Sequence, residues 1–100
     1  MDYRIAQSYQ YEGEDWWEWS VWVEGSNDCL DQVDYVQYTL HHTFRNPVRR
    51  VNDRSSKFKL TTGGWGMFTI YANVVTKNGA EHKLTHGLEF RYPDQRMAPA

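Results

Sequence analysis

Four histidines, one cysteine and a tryptophan set among glycines are the residues of this 100-residue chain whose types could do chemistry. His41 and His42 adjoin Thr43, which invites a metal site or a hydroxyl nucleophile with its base. Neighbours in an extended chain point to opposite sides, so one ion is not expected to take both histidines. His82 and His86 share a strand face, but at about 3.3 Å per residue they lie roughly 13 Å apart, too far to share an ion. No ligand set of the size zinc needs emerges, so neither a metal nor a cofactor is expected. His82 and His86 read instead as hydrogen-bonded core histidines. Thr43 has no G-x-S-x-G elbow, and Cys29 lies between Asp28 and Asp31, which disfavour its thiolate. No catalytic residue is nominated, and the chain reads as non-enzymatic. Gly63-Gly64-Trp65-Gly66 lacks the G-x-x-x-x-G-K-[ST] spacing of a phosphate cradle.

What remains is recognition by aromatic side chains. Leu40-His41-His42-Thr43-Phe44-Arg45-Asn46-Pro47 runs from a strand pattern into a polar, aromatic stretch. Pro47 must interrupt it, because proline donates no amide to a ladder and restricts the residue before it. Thr61-Thr62-Gly63-Gly64-Trp65-Gly66-Met67-Phe68 sets three glycines around one tryptophan, which suits positive φ or a close approach to the backbone. Both segments are expected to be loops, each presenting an aromatic at a strand end of a rigid β scaffold.

The elements that position them follow from period-two alternation. Tyr3 to Gln10 alternates up to a turn near Gly13. Trp17, Trp19, Val21 and Val23 then alternate with Glu18, Ser20, Trp22 and Glu24, up to Gly25-Ser26-Asn27-Asp28. The four tryptophans Trp16, Trp17, Trp19 and Trp22 occupy both faces, so Trp17 and Trp19 are expected inside and Trp16 and Trp22 outside. Cys29 to Val33 reads as a short acidic linker. Val36, Tyr38 and Leu40 follow as core residues, with His41 facing away. Asn52 to Ser56 is a turn cluster, and Phe58 and Leu60 form a short strand leading into the glycine-rich loop. Phe68, Ile70, Ala72 and Val74 pair with the strand holding His82, Leu84, His86, Leu88 and Phe90 through Asn78-Gly79, which suits a two-residue type I′ turn. No stretch of ten or more residues has helical periodicity. The expected fold is therefore all-β: an immunoglobulin-like antiparallel β-sandwich of seven or eight strands. One domain is expected over residues 1–93, with 94–100 after Pro93 as a flexible tail or linker.

With 11 basic against 13 acidic residues the net charge is −2, which favours neither nucleic acid nor an anionic membrane surface as a direct partner. A single cysteine cannot form an internal disulfide, and no apolar run has the length of a membrane span, so the cytoplasm is expected, or the nucleus in a eukaryote. Five Trp and seven Tyr stand out, and such rings fill β cores and recognition surfaces alike.

Trp19-Ser20-Val21-Trp22-Val23-Glu24-Gly25 resembles the D-W-x-V-x-V-x-G strand of the YEATS domain family. Tyr38 to Pro47 resembles its L-H-x-[ST]-F-x-x-P, with Val48 to Val51 continuing the match, and Gly64-Trp65-Gly66-Met67-Phe68-Thr69-Ile70 resembles its G-W-G-x-F-x-I. The resemblance runs from about Trp17 to Phe90 and leans to the prokaryotic branch. It implies a reader that clamps an acetylated or crotonylated lysine, or a similar flat amide, between loop aromatics. Carried over by motif, His41, Thr43 and Phe44 form one side of the slot and Gly64, Trp65 and Gly66 the other. Phe44 and Trp65 would be the walls, Thr43 the hydroxyl partner, the Trp65 backbone N–H the donor to the acyl carbonyl, and His41 a support. The family's rim aromatic falls at Asp15, with Trp16 beside it as the candidate, and its acidic residue near the last strand falls at about Gly87. The implied partner is an acylated-lysine protein or peptide, with other domains of the same polypeptide also possible partners. Two further readings stay open: a scaffolding domain of a prokaryotic signalling or defence protein with a degenerate pocket, and a carbohydrate-binding module.

Overall fold

Alternating apolar and polar residues bury one face of each strand, and the sequence places seven such strands in order. A computed structural model describes residues 2–99; Met1 and Ala100, the ends of the expected domain and tail, lie outside the described residues. The elements are β1 (Arg4–Gly13), β2 (Trp16–Glu24), a short helix α1 (Asn27–Asp31), β3 (Val33–Thr39), β4 (Val48–Val51), a 3-10 turn (Arg54–Ser56), β5 (Leu60–Gly64), β6 (Thr69–Thr76) and β7 (Glu81–Gly87). Their ladders are antiparallel. They form one sheet ordered β1-β2-β5 and a second ordered β4-β3-β6-β7, the expected immunoglobulin-like sandwich.

The core lies where the patterns place it. Trp17, Trp19, Val21 and Val23 on β2 are at most 1% exposed and face Val36 and Tyr38 of β3 and Ile70, Ala72 and Val74 of β6. Phe90, beyond β7, is stacked on both Trp17 and Trp19 at ring-centroid separations of 6.0 and 6.2 Å. The outward tryptophans are as expected: Trp16 is exposed, and Trp22 is half-buried, its indole N–H donating to Glu24 at 2.6 Å with Lys59 over its ring.

The two sheets are clipped along the β1 and β7 side. Gln7 Oε1 lies 2.7 Å from His86 Nε2 and accepts the Glu89 amide, while Gln7 Nε2 donates to the Glu89 carbonyl. His82 packs edge-on against Tyr3 at 5.0 Å. Both histidines are thus engaged, though half-buried rather than in the core.

Three local expectations are corrected. Residues 29–33 are not a linker: Ser26 caps helix α1 by accepting the Cys29 amide, and Leu30 is buried. Five helical residues are too few to show a period. The Asn78-Gly79 turn is not type I′, because among its residues only Gly79 has positive φ (88°) and the Thr76 amide bonds the Ala80 carbonyl, leaving three residues in the loop. The two-residue turn with both φ positive is instead Glu14-Asp15 (55° and 58°), between paired Gly13 and Trp16. Gly63 and Gly64 are not in a loop: they continue β5, paired with Glu18 and Trp17. The stretch after Pro93 turns back: Arg91 bridges Met97, the Ala98 amide bonds the Phe90 carbonyl, and Ala98 is 4% exposed.

Phe58 is not part of the expected strand, which begins only at Leu60: it is buried at φ 60°, next to Lys57 at φ 59°, and the Tyr38 hydroxyl donates 2.7 Å to the Phe58 carbonyl. Burial pushes the Tyr38 phenol well above its usual pKa of 10.0, so it remains a donor throughout the physiological range. Tyr38→Phe strands that buried carbonyl, and urea denaturation is expected to show a loss of about 1–3 kcal/mol.

Burial also holds the His86 pKa below its usual 6.5. The native state therefore favours the neutral ring while the unfolded chain takes up the proton. The contribution is fully present above pH 6.5 and is lost as pH falls through 6.5 toward the native value. Melts across this window should show stability falling with acid, and His86→Gln should flatten that slope.

Candidate functional site

Strand pairing brings the β3–β4 and β5–β6 connections to the same end of the sandwich. The first, residues 40–47, is closed at its base by the Leu40 amide donating to the Pro47 carbonyl at 2.8 Å. Inside it, the Phe44 amide donates to the His41 carbonyl, making a tight turn. Arg49 on β4 holds its far side, with Nε donating to Asn46 O at 2.6 Å and Nη2 to Arg45 O at 2.8 Å. Such charge-assisted bonds to successive carbonyls fix a loop that has little core contact of its own.

The second connection, residues 65–68, is fixed from outside. The Leu88 amide bonds the Phe68 carbonyl, and the Met67 amide donates 2.7 Å to Pro99, so the returning C-terminal stretch braces the loop that carries Trp65. Trp65 is 57% exposed, and among the described residues it contacts no other ring. Its backbone N–H is the first beyond the last β2–β5 pair, Trp17 with Gly64.

Between the connections lies an open cavity of about 390 Å³. All seven residues nominated from the sequence line it: Trp16, His41, Thr43, Phe44, Gly64, Trp65 and Gly66. Phe44 is not a free-standing wall. It is half-buried, with its ring 5.2 Å from Phe68 and 6.3 Å from Trp19, and so forms a floor continuous with the core. Arg45, Gly63, Met67 and Phe68 also line the cavity and were not nominated. Arg45 follows Phe44 in the quoted motif, and Met67 and Phe68 follow Trp65, so their chain positions were the available signal.

Gly63 has a role visible only in three dimensions. A Cβ there would sit 2.7 Å from Trp16 Nε1 and 3.1 Å from the Trp17 carbonyl, so only glycine lets the Trp16 indole lie across β5. At Gly64 a Cβ would meet Phe44 at 3.5 Å, in ordinary contact, and would take up space at the cavity floor. Asp15, in register with the family's rim aromatic, accepts a 2.6 Å bond from Tyr92, whose pKa that bond raises. Trp16 occupies the rim beside it. Gly87 is exposed at the end of β7 and does not line the cavity.

The polar groups converge at Thr43. His41 Nδ1 lies 2.8 Å from Thr43 Oγ1 and accepts the Thr43 backbone N–H at 3.3 Å. A nitrogen that accepts an amide hydrogen carries none itself, so the hydroxyl donates to it and keeps its lone pairs for another partner. The rings of His41 and His42 lie 4.2 Å apart, because the chain turns here rather than running extended. Among the described residues no three histidine, cysteine, aspartate or glutamate side chains form a possible metal cluster, and no helix is long and apolar enough to cross a membrane.

Comparison with known proteins points the same way. Residues 17–89 match the prokaryotic YEATS domain family. Transcription initiation factor TFIID subunit 14 of Schizosaccharomyces pombe is 34% identical over 80 residues, which span 74% of this chain and 32% of that protein. An AF-9 homolog of Saccharomyces cerevisiae is 34% identical over 68 residues, spanning 66% of this chain and 29% of that one. The chain thus covers about a third of these relatives' length. Among solved structures, a Yaf9 YEATS domain described as recognizing an H3K122suc peptide superposes with a TM-score of 0.65 at 25% identity, covering 95% of this chain and 72% of that one. A second Yaf9 YEATS structure has a TM-score of 0.69 at 25% identity, covering 92% and 72%. On the match over residues 17–89, with the sandwich and the two connections at one end, this chain belongs to the prokaryotic YEATS domain family.

Proposed function

We propose that the cavity takes the acylated side chain of a lysine presented by a protein or peptide, and that the chain acts by recognition rather than catalysis. The observation that carries this reading is the single cavity lined by all seven nominated residues, with Phe44 at its floor and Trp65 exposed at its edge. A flat amide can stack between such rings. Its N–H meets the lone pairs that Thr43 keeps by donating to His41, and its carbonyl accepts the Trp65 backbone N–H. An unmodified lysine would bring an ammonium to a lining that holds no aspartate or glutamate, with nothing to replace its water. The Yaf9 domain described with a succinylated histone peptide supports the same chemistry by similarity. The compartment follows the partner: cytoplasm, or nucleus in a eukaryotic host. Other domains of the same polypeptide are the second partner class of this reading.

Titration with crotonyl-lysine peptide, followed by tryptophan fluorescence, is expected to saturate, whereas the unmodified peptide does not. No response to any acyl-lysine would leave a scaffolding domain, and a response only to oligosaccharides a carbohydrate module. Aromatic stacking on a flat group is worth about 1–3 kcal/mol by alanine substitution. Trp65→Ala is therefore expected to weaken binding by about tenfold or more with an unchanged melting temperature.

Gly63→Val is expected to push the Trp16 indole off β5. In a ¹H–¹⁵N spectrum the Trp16 indole resonance should move, while that of Trp17, bonded to the Arg91 carbonyl at 3.0 Å, stays in place. Acyl-peptide affinity should fall in parallel.

A further inference from the structure

Two exposed tryptophans, Trp16 and Trp65, line the cavity, and a single stretch of chain is bonded to the segments that carry both. The Tyr92 hydroxyl donates 2.6 Å to Asp15, which immediately precedes Trp16. Further along, the Pro99 carbonyl accepts the Met67 amide at 2.7 Å, in the connection that carries Trp65. Between these two points the chain closes on itself. The Tyr92 amide donates to the Arg96 carbonyl and the Gln95 amide to the Tyr92 carbonyl, each at 2.8 Å, and Arg91 bridges Met97. Residues 91–99 thus form one small folded unit with a bond to each side of the cavity.

That unit is lightly seated. Of residues 93–99 only Ala98 is buried, and the Arg96–Asp94 ion pair lies inside the turn, where it ties nothing to the sandwich. Tyr92 anchors the base, with its ring 4.8 Å from that of Trp17, and beyond it the hold consists of the Ala98 methyl and two main-chain bonds, Ala98 to Phe90 and Met67 to Pro99. A segment with so few buried contacts opens locally at far lower cost than the whole domain unfolds. Met67 is where the unit meets the cavity: it is a lining residue, its amide bonds Pro99, and its Sδ accepts the Phe90 amide at 3.2 Å.

We infer that residues 91–99 are a strap that sets the opening between Trp16 and Trp65, so that seating the strap and filling the cavity are one linked equilibrium. With the strap seated, both rim segments are fixed and the two indoles stand at one spacing. With it lifted, Asp15 and the Met67 amide lose their partners and that spacing is no longer held. A ligand that touches both rims therefore binds the seated form better, and by linkage it holds the strap down by the same factor. The inference applies to any such ligand; the use of a crotonyl-lysine peptide as the probe rests on the acyl-lysine reading above.

Ala98→Asp in the full chain places a carboxylate in a site that is 4% exposed and should lift the strap. Amide hydrogen exchange at Met67 is then expected to become fast, and the Trp16 and Trp65 indole resonances are both expected to move. Affinity for the crotonyl-lysine peptide should fall by about tenfold. In the parent, saturating peptide should slow exchange at Met67 and Ala98 by that same factor, a reciprocity that a merely structural brace does not produce. Tyr92→Phe decides the matter if Ala98→Asp does not fold. It removes only the bond to Asp15, yet exchange at Met67 should still quicken, by about threefold, although the bond of Met67 to Pro99 is untouched.

A peptide that binds without slowing Met67 and Ala98 would overturn the inference. So would an Ala98→Asp variant that frees the Met67 amide and binds as the parent does, or parental exchange at Met67 in Tyr92→Phe. A parent that binds no acyl-lysine would remove the acyl-lysine reading instead, and the strap would then stand or fall on Tyr92→Phe measured without ligand.

Discussion

The contact between Trp19 and the two loop phenylalanines is what the site depends on. Trp19 is 1% exposed at the centre of β2, yet its ring lies 6.3 Å from Phe44 and 5.8 Å from Phe68, both of which line the cavity. The cavity floor is thus the upper surface of the hydrophobic core. A shift in the stacking of Trp17, Trp19 and Phe90 would be felt at the cavity-lining rings, because a close-packed interior transmits displacement rather than absorbing it.

The two connections reach their shape by different means. Residues 40–47 are held by their own backbone bonds and by one arginine that grips two successive carbonyls. Residues 65–68 contain little that would hold them, and are tied instead to Phe90-to-Pro99 and Leu88 from a distant part of the chain. Rigid support of this kind would lower the ordering cost for any ligand taken between the connections. It also leaves Trp65 projecting, since its loop is anchored by main-chain atoms that make no demand on its ring.

Polarity in the cavity is sparse and directional. The His41 nitrogen turns the Thr43 hydroxyl into an acceptor, the strand end at Gly64 leaves the following amide beyond the ladder, and Arg45 alone adds charge. Few polar groups in an apolar hollow is the usual division of labour, with area supplying affinity and the polar atoms orientation.

Much of this was legible in the sequence, for a definite reason. Alternation along β2, β3 and β6 and the motifs around Thr43 and Trp65 are local signals, so Trp17, Trp19, Tyr38 and Ile70 could be assigned to the core and seven of the residues that line the cavity nominated. What failed were features set by partners remote in sequence or too short to have a period. Ser26 capping a five-residue helix leaves no periodic trace, and the hairpin at Asn78 took a three-residue loop in place of the two-residue turn that the Asn-Gly pair suggests. The packing of Ala98 and Pro99 against residues 67 and 90 depends on strands that the tail's own composition does not reveal. By itself, then, the sequence determined the faces of the strands and the identity of the loop aromatics. Only the tertiary structure decided that Gly63 makes room for Trp16, that Phe44 lies on the core, and that Arg45 stands unpaired at the cavity, because each depends on which strand ends become neighbours.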